Sequence, residues 1–297
     1  MMSRPNVQSF LHEPSATFSY VVWDPQTRQV AVIDAVLDFD ESSAQTSTAS
    51  ANRIIEFIRG QGLTVTWLLE THAHADHLAG CAYLKQEIGG RRGIGEGIRA
   101  VQAHFREVFN LEQDFRPDGS QFEHLFTDQE PLQLGAIEGR AMATPGHTSD
   151  SFSYRIGDAV FVGDTIFMPD GGTARCDFPG GSASILYRSI QRLYALPPET
   201  RVFVLHDYYP PDGREHRCET TIGEQRRSNI HVRDGVPEAE FVKLRTERDR
   251  TLALPRLIIP AVQINIRGGE LPPAEANGLR YIKIPLNSAG GFSQIAD

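Results

Sequence analysis

Apolar and polar positions alternate in short runs along the first half of the chain. Tyr20-Val21-Val22-Trp23, then Asp24-Pro25, then Gln29-Val30-Ala31-Val32-Ile33-Asp34 predict two strands joined as a hairpin. Residues 41–50 are polar and lead into a helix over 51–59. Ile54, Ile55 and Ile58 form its apolar stripe, and Ser47 or Ser50 is its expected cap. Gly60 and Gly62 end that helix, and residues 64–70 are β-branched and apolar, as a buried strand requires. Residues 77–88 read as a helix stopped by Gly89-Gly90. The polar stretch 91–128 is helical around 100–109. Strands follow over 136–143, 151–156 and 159–162. A helix over 184–196 closes at Pro197-Pro198, and 201–205 is the last expected core strand. Gly93, Gly95 and Gly97 mimic half of a dinucleotide fingerprint, but the spacing fails at Ile98 and the stretch reads as a loop.

Strands alternating with helices predict an α/β protein with layered sheets. No repeat, low-complexity tract or long linker divides it. The expectation is one domain over 1–297, with a core from about 15 to 210 and a C-terminal extension from about 211 to 297 that carries one helix near 237–249. Hydrophobic residues are 40% of the 297 and charged residues 23%, enough for a large core. Lysine and arginine number 29 against 38 acidic residues, a net charge of −9 without long single-sign runs. That balance argues against nucleic-acid or anionic-membrane binding, which need a basic face. No run reaches the roughly 20 apolar residues of a membrane span. The first residues lack an apolar secretory stretch, so a cytoplasmic protein is expected. Cys81, Cys176 and Cys218 have no CxxC spacing, which fits reduced thiols.

The histidines carry the chemistry. Three of them fall within Thr71-His72-Ala73-His74-Ala75-Asp76-His77, directly after a strand. In extended chain, residues two apart share a side, so His72, His74 and Asp76 can converge, and His77 points back toward them from its helix. Three imidazoles and a carboxylate so close together are a dense ligand set for a divalent metal. His147 sits in a Thr144-Pro145-Gly146-His147 turn. Asp164 ends the run Phe161-Val162-Gly163, and His206 ends the run Val202-Phe203-Val204-Leu205. Each stands at the carboxyl end of a strand, where α/β folds place their sites.

Taken in this order, HxHxDH, Pro-Gly-His, Gly-Asp-Thr and a strand ending in His-Asp-Tyr resemble the metallo-β-lactamase superfamily over about 15–210. The resemblance implies an αββα sandwich with a metal at one edge. His74 stands where flavodiiron members carry glutamate, and the net charge sets the chain apart from the nuclease branches. Gly163-Asp164-Thr165 followed by Ala174-Arg175-Cys176-Asp177-Phe178 is similar to the Gly-Asp-Thr…Arg-x-Asp-Phe signature of bacterial persulfide dioxygenases, with Cys176 where threonine is commoner. His206-Asp207-Tyr208, the stretch 221–229 and Asn265-Ile266-Arg267 extend that similarity over nearly the whole chain.

The branch implies one Fe(II) per chain, held by His72, His147 and Asp164, the two-histidine, one-carboxylate set of non-haem oxygenases. His74, Asp76, His77 and His206 would surround these ligands; in the binuclear hydrolases of the superfamily the matching residues hold a second metal. The implied reaction oxidises glutathione persulfide with O₂ to sulfite and glutathione. Arg175 is the first candidate for the substrate's carboxylates and is counted with the catalytic residues. Arg214 and Arg226 follow it, and Tyr187 and Tyr208 are possible walls. A glyoxalase II-like thioester hydrolase with two metals is the alternative, and a binding module without turnover a third possibility. A homodimer is expected by analogy.

Overall fold

The computed structural model describes residues 4–208 and 213–292, apart from the side chain of residue 289. Residues 1–3, 209–212 (at the expected boundary of core and extension) and 293–297 lie outside the described residues. One sheet has the order β1 (Asn6–His12), β2 (Thr17–Trp23), β3 (Gln29–Ile33), β6 (Thr64–Leu69), β8 (Arg91–Gly95), β9 (His124–Phe126). The other runs β10 (Glu130–Leu134), β11 (Ile137–Ala143), β12 (Phe152–Ile156), β13 (Ala159–Phe161), β14 (Arg201–Phe203), β15 (Glu219–Thr221). A small third sheet joins β5 (Gln45–Ser47), β4 (Val36–Asp40) and β7 (Leu78–Ala79). The helices are α1 (Ala49–Gly60), α2 (Cys81–Ile88), α3 (Ile98–Val108), α4 (Ala183–Tyr194), α5 (Ile222–Ser228), α6 (Glu238–Asp249) and α7 (Ile258–Asn265).

Alternation along the strands builds the layers. Tyr20, Val22, Ala31, Ile33, Trp67 and Leu69 meet Leu132, Leu134, Tyr154, Ile156, Phe161 and Phe203 between the two large sheets. The residues between them in sequence point outward. Val21, Val30, Val32 and Leu68 are covered by Ile54, Ile55 and Ile58 of α1 and Leu84 of α2. On the other outer face, Val160, Val162, Val202 and Val204 lie under Leu186, Ile190 and Leu193 of α4. Helices therefore cover both faces of a two-sheet sandwich, as expected. A further cluster joins α3 to α7 through Ile98, Val101, Phe105, Ile258 and Val262.

Several local expectations are corrected. The glycine run 91–95 is not a loop but the interior strand β8, parallel to both β6 and β9. Its glycines are dictated by the sandwich: a Cβ on Gly93 would press into the Phe126 ring, and one on Gly95 would overlap the Phe152 ring. His77 does not open a helix, because β7 follows it, pairing Leu78 with Leu37 and Ala79 with Val36, and α2 begins only at Cys81. Neither expected serine caps α1 with its own side chain. Thr48 occupies the cap position without its side chain capping a helix N–H, and the Asp38 carboxylate accepts from Ser50 N (2.8 Å) and Ser50 Oγ (2.6 Å) instead. β14 is not the last strand, since β15 pairs with it. β1, β4, β5, β9, β10, α5 and α7 answer to no element expected from the sequence.

Gly95→Ala, which drives a methyl group into Phe152, should lower stability by roughly 1–3 kcal/mol. Gly60→Ala, at the end of α1 with open space around it, should be neutral or slightly stabilising. Urea midpoints would decide, and a Gly95→Ala protein as stable as the parent would refute the close-approach argument.

Burial alone would raise the Glu123 carboxyl, but Arg92 (Nη2 to Oε1, 3.0 Å) and Lys85 (Nζ to Oε1, 2.6 Å) hold it down at about 2. A depressed carboxylate stabilises fully above its unfolded value and loses that stabilisation as pH falls toward the folded one. The Tm difference between the parent and Glu123→Gln should therefore narrow between pH 6 and pH 3. A constant difference would count against this ion cluster.

Candidate metal centre

The loop after β6 is held by one buried carboxylate. Asp34, directly after β3, accepts from Thr71 N (2.7 Å), from the Thr71 hydroxyl (3.0 Å) and from His74 Nε2 (3.0 Å). Because Thr71 Oγ1 donates to Asp34, it is free to accept from His72 Nδ1 at 3.1 Å, which leaves the His72 Nε2 lone pair available. His147 and His206 are set the same way. His147 Nδ1 donates to the Arg175 carbonyl (2.7 Å) and His206 Nδ1 to the Ala16 carbonyl (3.2 Å). A carbonyl only accepts, so each of these rings also presents Nε2. His74 is reversed: its Nε2 faces Asp34 and Glu70 (3.1 Å) and its Nδ1 faces away.

The ligand-type atoms fall into neighbouring groups rather than one point of convergence. Those of His72, His147 and Asp164 lie within 4.8 Å of one another, so do those of His74, Asp76 and His77, and so do those of His74, Asp34 and Glu70. Asp76 Oδ2 is 3.3 Å from both His77 Nδ1 and His206 Nε2. His206 Nε2 is also 3.4 Å from Asp164 Oδ1, and His147 Nε2 is 3.5 Å from Asp164 Oδ2. Among the described residues His74 Nδ1, His77 Nε2, Asp164 Oδ1 and His206 Nε2 are buried with no hydrogen-bond partner. Buried polar atoms ordinarily find one. Unpartnered buried polar atoms gathered this closely fit a bound cation.

The electrostatics agree. Burial drives His72 well below its ordinary range, helped by His74 and His147. Burial also brings His147 down to about 4, against the pull of the Arg175 carbonyl, so both rings stay neutral. Asp164 is pushed up to about 6 by burial, opposed by His206 and reinforced by Asp76. Asp76 itself stays well below the usual carboxylate range, because His206 and His77 outweigh its burial. For His74, Asp34 and Glu70 outweigh burial and hold the ring well above its usual value. Negative charge thus concentrates where a cation would relieve it.

The expected substrate residues are disposed differently. Arg175 makes a two-pronged pair with Asp177 (both contacts 2.6 Å), donates to the Ala253 carbonyl and lies over the Phe178 ring; it touches His147 through its main chain. Arg214 spans Asp207 and Asp170, and Arg226 pairs with Asp234. The Tyr187 hydroxyl donates to the Val236 carbonyl, with its ring against Phe241. Of the five, Tyr208 brings its side chain to the cluster, stacked on His206 with ring centres 4.5 Å apart.

Residues not singled out as site residues complete the setting. Asp150 accepts from Ala73 N (2.8 Å), and Glu70 supports His74. Arg245 and Asp249 of α6 form a buried pair that holds Thr173 O and Cys176 N, on either side of Arg175. Gly163 has φ +50, and a Cβ there would strike the Thr71 side chain. Asp34 had a signal in the sequence, an aspartate ending an apolar strand. The others had none.

The pattern of the Metallo-beta-lactamase superfamily matches residues 12–206. The chain is 50% identical over 287 residues to the Beta-lactamase hydrolase-like protein of Xylella fastidiosa (strain Temecula1 / ATCC 700964), covering 97% of this chain but 66% of that one. It is 49% identical to Glyoxylase B2 of Dictyostelium discoideum, over 97% of this chain and 99% of that one. It is 27% identical to the mitochondrial persulfide dioxygenase ETHE1 of Homo sapiens, over 89% of each. The crystal structure of ETHE1 from Myxococcus xanthus superposes with a TM-score of 0.70 at 29% identity, over 89% of this chain and 100% of that one. Sandwich, ligand order and these likenesses agree: the chain belongs to the metallo-β-lactamase superfamily.

Proposed function

We propose that the chain is an Fe(II)-dependent persulfide dioxygenase that converts glutathione persulfide, O₂ and water to glutathione and sulfite. The observation that carries this reading is the grouping of His72, His147 and Asp164, two neutral imidazoles and one carboxylate with ligand atoms within 4.8 Å. Likeness to the human persulfide dioxygenase and to the Myxococcus ETHE1 structure supports it. These three residues would hold the metal, and iron bound there would supply the redox chemistry that couples persulfide sulfur to O₂.

The remaining roles belong to the chain. Thr71 and the Arg175 carbonyl fix the His72 and His147 rings so that both Nε2 atoms face inward. Phe178 lies against His147 and Phe167 against His206, limiting water around the reacting sulfur. Tyr208, half-exposed on the His206 ring, offers a face for the thiol carrier. His74, Asp76, His77 and His206 orient bound water and the neighbouring carboxylate.

One observation favours a second reading. The His74, Asp76 and His77 group could hold another metal, and Glyoxylase B2 is a relative. That arrangement would suit a glyoxalase II-like thioester hydrolase.

Anaerobic reconstitution with Fe(II), followed by glutathione persulfide in aerated buffer, separates the two. Oxygen uptake with matching sulfite is expected, lost on chelation and in His72→Ala, and restored by Fe(II) but not by Zn(II). Hydrolysis of S-lactoylglutathione without oxygen uptake, at two metals per chain, would establish the hydrolase instead.

A further inference from the structure

The Asn265-Ile266-Arg267 stretch has no part in the chemistry above, yet Asn265 is tied to the centre from the far end of the chain. It is the last residue of α7, 3% exposed. Its Nδ2 donates to the His74 carbonyl and to the His77 carbonyl, each at 2.8 Å. Its Oδ1 accepts from Ala79 N at 2.7 Å. A side-chain amide has two N–H donors and one carbonyl, and here both faces are engaged. Turning the amide over would set oxygen against two carbonyls, so the network admits one orientation.

The segment pinned in this way is short. Residues 74–77 carry His74, Asp76 and His77, the whole second group of ligand-type side chains. Their main chain belongs to no helix or strand, so the 74 and 77 carbonyls have no ladder to satisfy them. Asp150 holds the start of the segment through Ala73 N, and Asn265 holds the rest. Its base is firm. Ile258 and Val262 of α7 pack with α3, and Ala261 and Ile264 pack with Leu37 and Leu78.

We propose that Asn265 is a positioning residue of the metal centre, fixing the arc from His74 to His77, and with it the spacing of His74, Asp76 and His77 from His72, through three main-chain hydrogen bonds. The proposal rests on the reading of these side chains as walls of a metal centre, whichever reaction that centre performs. Groups that orient ligands without touching the metal typically alter its affinity about 10- to 100-fold when removed.

The test is titration of the full, metal-stripped chain with Co(II), followed by d–d absorption, with circular dichroism to confirm folding. Asn265→Ala and Asn265→Ser should bind Co(II) about 10- to 100-fold more weakly, with a shifted d–d band. Asn265→Asp keeps the shape but sets oxygen against two carbonyls. It should do at least as badly, whereas a purely space-filling residue would tolerate it. The serine variant serves if the aspartate variant does not fold. Glu123→Gln, destabilised at a site away from the cluster, should keep the parental affinity and band. Parental affinity and band in the alanine and serine variants, with a lowered Tm alone, would overturn the proposal. So would an equal loss of affinity in Glu123→Gln. His72→Ala should lose the Co(II) held by the first group. Retention of the full parental Co(II) content and band would remove the metal-centre reading itself, an outcome distinct from parental binding by the Asn265 variants.

Discussion

The Asp34 carboxylate is the constraint on which the rest of the centre depends. Its backbone lies in the left-handed region at φ +52, which aspartate tolerates better than most residues because its side chain is short and polar. That turn lets the chain leave β3 and send the carboxylate under the end of β6. There it meets Thr71 and His74, while Asp34 N donates to the Leu69 carbonyl (2.9 Å). Thr71 then passes the constraint in two directions: to the His72 ring, and by contact to Gly163, the residue before Asp164. One buried anion thus fixes groups in both large sheets. Each donor it satisfies would cost about 1–3 kcal/mol if left buried and unpaired.

Local pattern revealed much of this and missed the rest for physical reasons. The hairpin β2–β3, the strand β6 and the helix α4 carry enough alternation or apolar stripe to be read directly. β8 does not, since Arg91-Arg92-Gly93-Ile94-Gly95 has the composition of a loop. It is a strand through its pairing with β6 and β9, and its glycines are needed because two aromatic rings from other strands occupy the space where side chains would stand. The helix expected from His77 fails because β7, two residues long, exists through pairing with β4, a contact no local pattern records.

The site was legible where chemistry is concentrated in sequence and illegible where it is supplied from afar. Seven ligand-type residues stand in short recognisable motifs, and the structure gathers six of them into two adjoining groups with His206 beside Asp76 and Asp164. The arginines show the limit. Residue type says that a guanidinium seeks a carboxylate, but not whether the carboxylate belongs to a substrate or to the chain. Here Asp177, Asp207, Asp170 and Asp234 take that place.

The four ligand-bearing turns leave different layers: His72 follows β6 of one sheet, whereas His147, Asp164 and His206 follow β11, β13 and β14 of the other. No isolated hairpin or helix can assemble them, so the centre comes into being when the sheets close on each other. The two sheets must therefore be packed together before these side chains can meet. A cation held there would act as a rivet across the seam, adding its binding free energy to the adhesion of the two sheets.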